Sequence, residues 1–537
     1  MTSASPSPSL TQRLANHSPT ITVSLVINFC LALFILEMRE AGPFSAARQR
    51  FLPLRKLLQF KQQTSSSKLS SLKPPIVYIP RDIQFSAKGH AAYNEALNKH
   101  GDVVIIPRHG RMEYVLEHVH VREVLTNTHN YSFDKAVTNM LHMEFMLWFN
   151  NGTFISEVDR LVAEGLTPRL SAYVDEIAPI FENGAGDLDG NKLSDTKTEV
   201  TDLYHWAHRL LARSMVKLIL GDKYLTPANT EDFMATAIAV ARLSGVYENT
   251  DGWRYLPWLW SLQTTLSAVL FTIVPRYFLS VVPQLWRDRK ERLKNIDRPS
   301  NAFVPFFDLL AIKYRNSETG ELGFLNFLWC TTVCLGLVFA SIHQSAVVAV
   351  WCIMTLAKQK QQDIYLGELR SEWEENIQID SNGNQFWTVE SLKRLKKLDS
   401  FIREVMRSKG DTFTSLRYTT KDVQIGKYLV PKNSLVSPYV KRVHEHPDNY
   451  GGADFDGFQW ARKDVPAVQG RHDFIAFGLG RWACPGRHLA ISEVKLIMIN
   501  LFRNFDVALR GDEFHVVDPM NTTSVAPEGI LEITRRN

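Results

Sequence analysis

Apolar residues along this chain recur mostly at helical spacing, with two long exceptions that are apolar on every face. The longer runs from Asn326 to Gln361 without a proline and predicts a single helix of unusual length. A helix apolar all round belongs in the centre of a large protein or in a membrane. The stretch from Leu325 to Met354 is long enough to span a bilayer. Against a span stand Ser341, His343, Gln344 and Ser345, clustered at mid-depth where polar groups are costly in lipid. The second exception is uncharged from Ile21 to Leu36, near the lower length limit for a membrane helix. Anchor, buried core helix and signal peptide compete for it. Glu37-Met38-Arg39-Glu40 offers no small-x-small cleavage site, which disfavours the signal peptide and leaves the anchor preferred.

Shorter patterns fill the interval between them. Helices are expected at Ala91–Lys99, Leu210–Leu220, Thr230–Leu243 and Asp399–Arg407. Another starts at Leu489, with Ile491, Val494, Ile497 and Met498 on its apolar face. Val103 to Ile106 reads as a strand closed by Pro107. Phe413–Arg417 and Val423–Lys432 read as one small antiparallel sheet with Gly426 in its turn. Residues 253–286 are apolar and aromatic, but the interval from Pro257 to Pro275 is marginal for a span. A buried segment, or one dipping into a membrane surface, is expected there. No internal repeat is evident. The expected organisation is a polar tail (1–20), a transmembrane anchor (21–36), a basic juxtamembrane linker (37–75) and one mainly α domain with small β-sheets (76–537).

Composition changes this picture little. The 537 residues are 45% hydrophobic and 22% charged, as in a folded protein, and a net charge of +5 does not suggest nucleic acid. Seven basic residues from Arg39 to Lys68 follow the first apolar run, whereas only Arg13 precedes it. The positive-inside rule then puts the main body in the cytosol. On that orientation the triplets at Asn151 and Asn521 would not meet the glycosylation machinery. Five cysteines, at 30, 330, 334, 352 and 484, form no dense framework and favour a reducing compartment.

The chemistry gathers near the C-terminus, in Phe474-Ile-Ala-Phe-Gly-Leu-Gly-Arg-Trp-Ala-Cys-Pro-Gly-Arg-His488. Cys484 is framed by Gly478, Gly480 and Gly486 and precedes a helix, whose N-terminal amides favour a thiolate. The bland alternative is a buried structural cysteine. Zinc is disfavoured because no second cysteine lies at Cys-x-x-Cys spacing. A lone thiolate in a glycine loop suits an axial haem ligand, tuned by amide donors to sulfur.

Phe477-Gly478-x-Gly480-Arg481-x-x-Cys484-x-Gly486 resembles the haem loop of the cytochrome P450 family, and the resemblance extends over about residues 76–537. It implies the P450 fold, haem b ligated through Cys484, and a loop shaped by Phe477, Gly478 and Gly486. It implies that Arg417 and Arg481 reach the haem propionates; no Trp-x-x-x-Arg counterpart precedes residue 200. Glu404 and Arg407 match the family's buried Glu-x-x-Arg pair. Gln459 stands where the family's third member is arginine, with Arg462 as a potential substitute. His444 falls in a His-x-x-Pro element for which surface packing suffices, and Met520–Pro527 matches a substrate-touching turn. In the long helix, Ala340-Ser341 match the small pair, His343 the usual acid, Gln344 the usual threonine and Ser345 the next hydroxyl.

The resemblance further implies a monooxygenase using O2 and an NADPH-cytochrome P450 reductase on an apolar small molecule. Its anchored form and His343 most resemble fungal biosynthetic members in the endoplasmic reticulum membrane. Gln344 keeps open an isomerase, dehydratase or skeleton-rearranging enzyme that needs no standard proton delivery. A non-enzymatic haem carrier is the third reading.

Overall fold

The computed structural model describes residues 73–536 except 109–110, 141–151, 185, 190–196, 253–256, 295–301, 412–414 and 448–453. The expected anchor, the linker up to residue 72, the start of the 253–286 stretch, Asn151 and the residues around Phe413 lie outside the described residues.

Short strands flank a helical body. Helix α1 (Gly89–His100) leads into β1 (Val103–Arg108) and β2 (Arg111–Leu116), which pair antiparallel from Val103↔Leu116 to Arg108↔Arg111. After β3 (Tyr131–Ser132) come helix α2 (Leu170–Gly184) and the short strand β4 (Thr198–Val200). Helix α3 (Leu203–Leu220) begins seven residues before its apolar run, because Asp202 caps it by accepting from the His205 N–H at 2.9 Å. Helix α4 (Pro227–Leu243) starts with proline at its first position behind the Thr226 cap.

The apolar stretch after it is helical over Pro257–Ala268, Val269–Val281 and Val282–Lys294, with Pro275 inside. Leu266, Leu270 and Phe271 are exposed, whereas Tyr277, Val281 and Leu285 are buried. Helix α5 (Phe306–Tyr314) precedes the long helix α6 (Phe324–Leu356). Leu356 ends α6 five residues short of the sequence expectation; the carbonyl of Ala357 is satisfied by Gln362 Nε2 at 2.9 Å. Most of α6 is covered: α3, α4 and α5 pack along it, and its buried residues belong to the largest core cluster. It is therefore a core helix, as the family resemblance implied, and not a second span.

Helix α7 (Lys396–Ser408) is followed by β5 (Arg417–Thr419), the hairpin β6 (Val423–Ile425) and β7 (Tyr428–Val430), and β8 (Leu435–Pro438). Gly426 takes φ 55° in the hairpin turn, where a Cβ would lie 2.9 Å from Asp102 Oδ2. The single sheet expected for 413–432 is two. Strand β5 leaves the hairpin to join a five-stranded sheet ordered β1-β2-β8-β5-β3, and only β2–β8 is parallel. Thr419 explains the separation, since its hydroxyl donates to Pro431 and its N–H to Ser434, folding the chain back around the hairpin. Helix α8 (Arg487–Asn504) then runs into β9 (Phe505–Leu509), which pairs antiparallel with β10 (Leu531–Arg535), itself paired with β4.

One buried acid ties α8 to α3. Glu493 is buried, and Ser214 Oγ donates to its Oε1 at 2.8 Å. Burial pushes its carboxyl up to about 8, and the Ser214 bond only partly opposes this. The folded protein thus holds a proton that the unfolded chain loses from the ordinary carboxylate range upward. Stability should fall as pH rises through that window, by at most about 1.4 kcal/mol per unit. Glu493→Gln should remove this slope. Thermal unfolding should show the variant gaining on the parent at alkaline pH and matching it near pH 5, whereas a gain equal at both would contradict the assignment.

Candidate active site

The Cys484 loop is built from the backbone upward. Gly478 and Gly480 take φ 71° and 74°, and a Cβ on Gly480 would lie 3.2 Å from Leu125 O and Thr126. Only glycine allows both the turn and this approach. The Cys484 N–H donates to Phe477 O at 2.8 Å, closing the loop, and Arg487 Nη1 holds Cys484 O at 2.6 Å. Phe477 is half-buried against the main core. The backbone amides of Gly486 and Arg487 hydrogen-bond to the Cys484 sulfur and stabilise a thiolate, yet burial outweighs them and holds the thiol above its ordinary value. The residue is nevertheless solvent-accessible. Iron would invert that balance, because a coordinating thiol is deprotonated outright. Among the described residues no group of three or more His, Cys, Asp or Glu is placed to hold a metal ion.

Arg417 is a buried cation of the site; the Asp134 carboxylate acts on its charge but makes no ion pair with it. It is 3% exposed, lies over the Phe133 ring at 5.0 Å and donates to the Leu416 and Leu125 carbonyls at 2.9 and 3.4 Å. Burial pulls its guanidinium down to about 10. No carboxylate among the described residues pairs with it. A buried guanidinium of this kind suits an external carboxylate such as a haem propionate. Arg481 differs, since it pairs with the buried Asp159 at 2.7 Å and lies over the Trp482 ring. Trp482 stacks on Phe133 at 5.0 Å, so the two arginines share one aromatic step.

The centre of α6 presents different faces. Ala340 and Gln344, one turn apart, are exposed, whereas Ile342, His343, Ser345, Ala346 and Val347 are buried. Neither the Gln344 amide nor the Ser345 hydroxyl has a hydrogen-bond partner among the described residues. His343 is fully engaged. Its Nε2 lies 2.8 Å from Ser524 O and its Nδ1 2.7 Å from the Tyr204 hydroxyl. Burial pulls its pKa down to about 4, so the ring is neutral at physiological pH.

Beneath the loop, Glu404 and Arg407 on α7 are completely buried. Arg407 donates twice to Glu404, at 2.9 and 2.7 Å, and to the carbonyls of His444 and Asp454. Gln459 Nε2 donates to Glu404 Oε2 at 3.0 Å, in the place held for arginine, and Trp460 Nε1 adds a bond at 2.9 Å. Arg462 instead pairs with Asp456 on the surface. His444 is buried rather than superficial: its Nε2 accepts the Ile475 N–H at 3.0 Å and its ring stacks on Phe474. Tyr204, Asp159 and Phe133 carried no sequence signal, whereas Ser524 lies in the turn at Met520–Pro527 and Trp460 is the large aromatic directly beside Gln459.

The candidate site thus combines a glycine-framed loop with one exposed thiol, a buried arginine and a long helix exposed at one central face. The Cytochrome P450 profile matches residues 73–532, and the chain belongs to the cytochrome P450 family. Among curated relatives it is 30% identical over 203 residues to cytochrome P450 monooxygenase ascG of Acremonium egyptiacum, covering 33% of this chain and 38% of that protein. It is 34% identical over 191 residues to monooxygenase atmQ of Aspergillus flavus, covering 33% and 34%. With monooxygenase AN1598 of Emericella nidulans it shares 24% over 366 residues, covering 65% and 64%. These alignments thus span between about a third and just under two thirds of each relative. The solved retinoic acid bound cyanobacterial CYP120A1 superposes with a TM-score of 0.60 at 18% identity, covering 87% of this chain and all of that one, which supports the fold.

Proposed function

We propose that this protein is a haem-thiolate monooxygenase that oxidises an apolar intermediate of secondary metabolism, using O2 and electrons from an NADPH-cytochrome P450 reductase. The observation that carries the reading is Cys484, a single solvent-accessible thiol in a glycine-framed loop with amide donors at its sulfur. Haem b would be held by Cys484, with Arg417 and Arg481 toward its propionates and Phe477, Gly478 and Gly486 shaping the loop. When bound, the haem supplies dioxygen reduction and oxygen-atom transfer. The protein would lie in the endoplasmic reticulum membrane through residues 21–36, with its catalytic domain in the cytosol.

In this reading Gln344 and Ser345 manage the protons. Gln344 presents an amide at the exposed face of α6, and an amide donates a hydrogen bond without relaying a proton. Ser345 supplies a hydroxyl rotated by about 100° along the helix, so a water joins it to the exposed face. His343 completes the polar centre. The test uses the precursor that accumulates in a host lacking the gene, with labelled dioxygen. One labelled atom should enter the product, dependent on NADPH and reductase. Ser345→Ala should divert NADPH into peroxide with haem content intact, because such proton assistance is worth about a hundredfold or more in rate. Gln344→Thr should keep or improve the product-to-NADPH ratio. Turnover without NADPH would replace this reading with a rearranging enzyme, which the absence of a hydroxyl at position 344 favours as the second choice.

A further inference from the structure

We infer that His343 is a positioning residue, bolting the centre of the long helix to the turn at 518–524 and to the segment after α4, and so setting how substrate lies beside Gln344. The chemistry of its two partners fixes its role. A carbonyl only accepts, so the nitrogen facing Ser524 O at 2.8 Å carries the ring proton. The other nitrogen is therefore bare and accepts from the Tyr204 hydroxyl at 2.7 Å. Tyr247, just beyond the end of α4, is electrostatically coupled to Tyr204, and its ring stands edge-on to that of His343 with centroids 6.0 Å apart.

One imidazole thus joins four segments: α6, the start of α3, the stretch around Tyr247 and the terminal turn. A proton passed along this row would stop at His343, since the Ser524 carbonyl cannot take it onward. His208 offers no way round. Its ring sits 6.3 Å from that of His343, centre to centre, and both of its nitrogens are buried without a partner.

Other bonds place the same turn relative to the same elements. Trp351, about two turns further along α6, donates to Thr522 O at 3.0 Å. Asn521 Nδ2 donates to Val246 O at 3.0 Å, and Asn249 Nδ2 to Asp518 Oδ2 at 2.9 Å. The turn and the segment after α4 are therefore tied to one another, and both are tied to α6 at His343. Loss of the bolt should loosen the two together while leaving the Cys484 loop untouched.

The test uses the full haem-loaded chain and three variants. His343→Leu removes both bonds, His343→Gln keeps one donor and one acceptor, and Tyr204→Phe removes one. Hydrogen–deuterium exchange over 518–526 and 244–251 is the primary readout. His343→Leu should speed exchange in both segments by about tenfold, and His343→Gln should restore most of the protection. Tyr204→Phe should loosen 244–251 more than 518–526. Phenylimidazole binding, followed by the Soret shift, should weaken in step with exchange. The kinetic arm rests on the proposed oxidation: with the accumulated precursor, KM should rise about tenfold while kcat changes little and peroxide stays at the parent level. Unchanged exchange in His343→Leu would overturn the bolt, as would a leucine variant that leaves KM alone and diverts NADPH to peroxide. Should His343→Leu fail to fold, Tyr204→Phe against His343→Gln decides by the same exchange pattern. Exchange is read without turnover, so a wrong reaction class and a wrong role for His343 give separate results.

Discussion

Cys484→Ser is expected to abolish the red-shifted Soret band that thiolate ligation gives the reduced carbon-monoxide complex, and to reduce turnover to background. The variant should stay folded, because Cys484 is solvent-accessible and serine is close to it in size and shape. The geometry around the sulfur explains why oxygen cannot stand in. The Gly486 and Arg487 amides are aimed at a large, soft anion, and the Arg487 guanidinium beside it also favours charge. Serine at that place presents a hydroxyl that the same burial keeps neutral, and a neutral hydroxyl is a poor ligand for haem iron. Folding stability, read by urea unfolding of the haem-free chain, should change by less than about 1 kcal/mol. A full-strength red-shifted band in the variant, at complete haem occupancy, would assign the ligand to another residue.

Much of this site is legible in the sequence where the signal is local. The glycines around Cys484, the hairpin turn at Gly426 and the helical spacing of Glu404 and Arg407 are set by neighbours within a few residues. Those elements stand where the pattern puts them. The long helix is legible as a helix, but its apolar run also fits a membrane span, and it was the family resemblance that put it in a protein core. What the pattern hides is pairing at distance. Strand β5 looks like the partner of β6, but its true neighbours are β8 and β3. That choice depends on the Thr419 bonds across the hairpin. Arg481 carries a loop signature, yet nothing local announces Asp159, more than three hundred residues earlier. His343 shows the same limit. A histidine amid serines reads as reactive, whereas Tyr204 and Ser524, 139 and 181 residues away, occupy both its nitrogens.

Arg407→Ala is expected to be the most destabilising single change among these residues, by about 3–5 kcal/mol, because it strands a buried carboxylate. Glu404 and Arg407 have no exposed side-chain surface, and the guanidinium is the only cation bonded to Glu404 among the described residues. Gln459 and Trp460 donate to Glu404 as well, but both are neutral. With the arginine gone, three neutral donors, counting the Asp456 N–H at 3.1 Å, would face a full negative charge. The carbonyls of His444 and Asp454 would lose their donor too, and His444 is the residue that holds the Ile475 amide next to the Cys484 loop. Loss of haem should therefore accompany unfolding, at a temperature well below that of the parent. Arg407→Lys should fall between, keeping the charge but not the fork. The deciding comparison is with the double variant Glu404→Leu, Arg407→Leu, which removes the charge with its partner and should cost less than Arg407→Ala alone. Chemical unfolding with haem retention followed in parallel measures all three. A double variant worse than the single would mean that the pair acts through its packing and its carbonyl bonds, with the stranded charge contributing little.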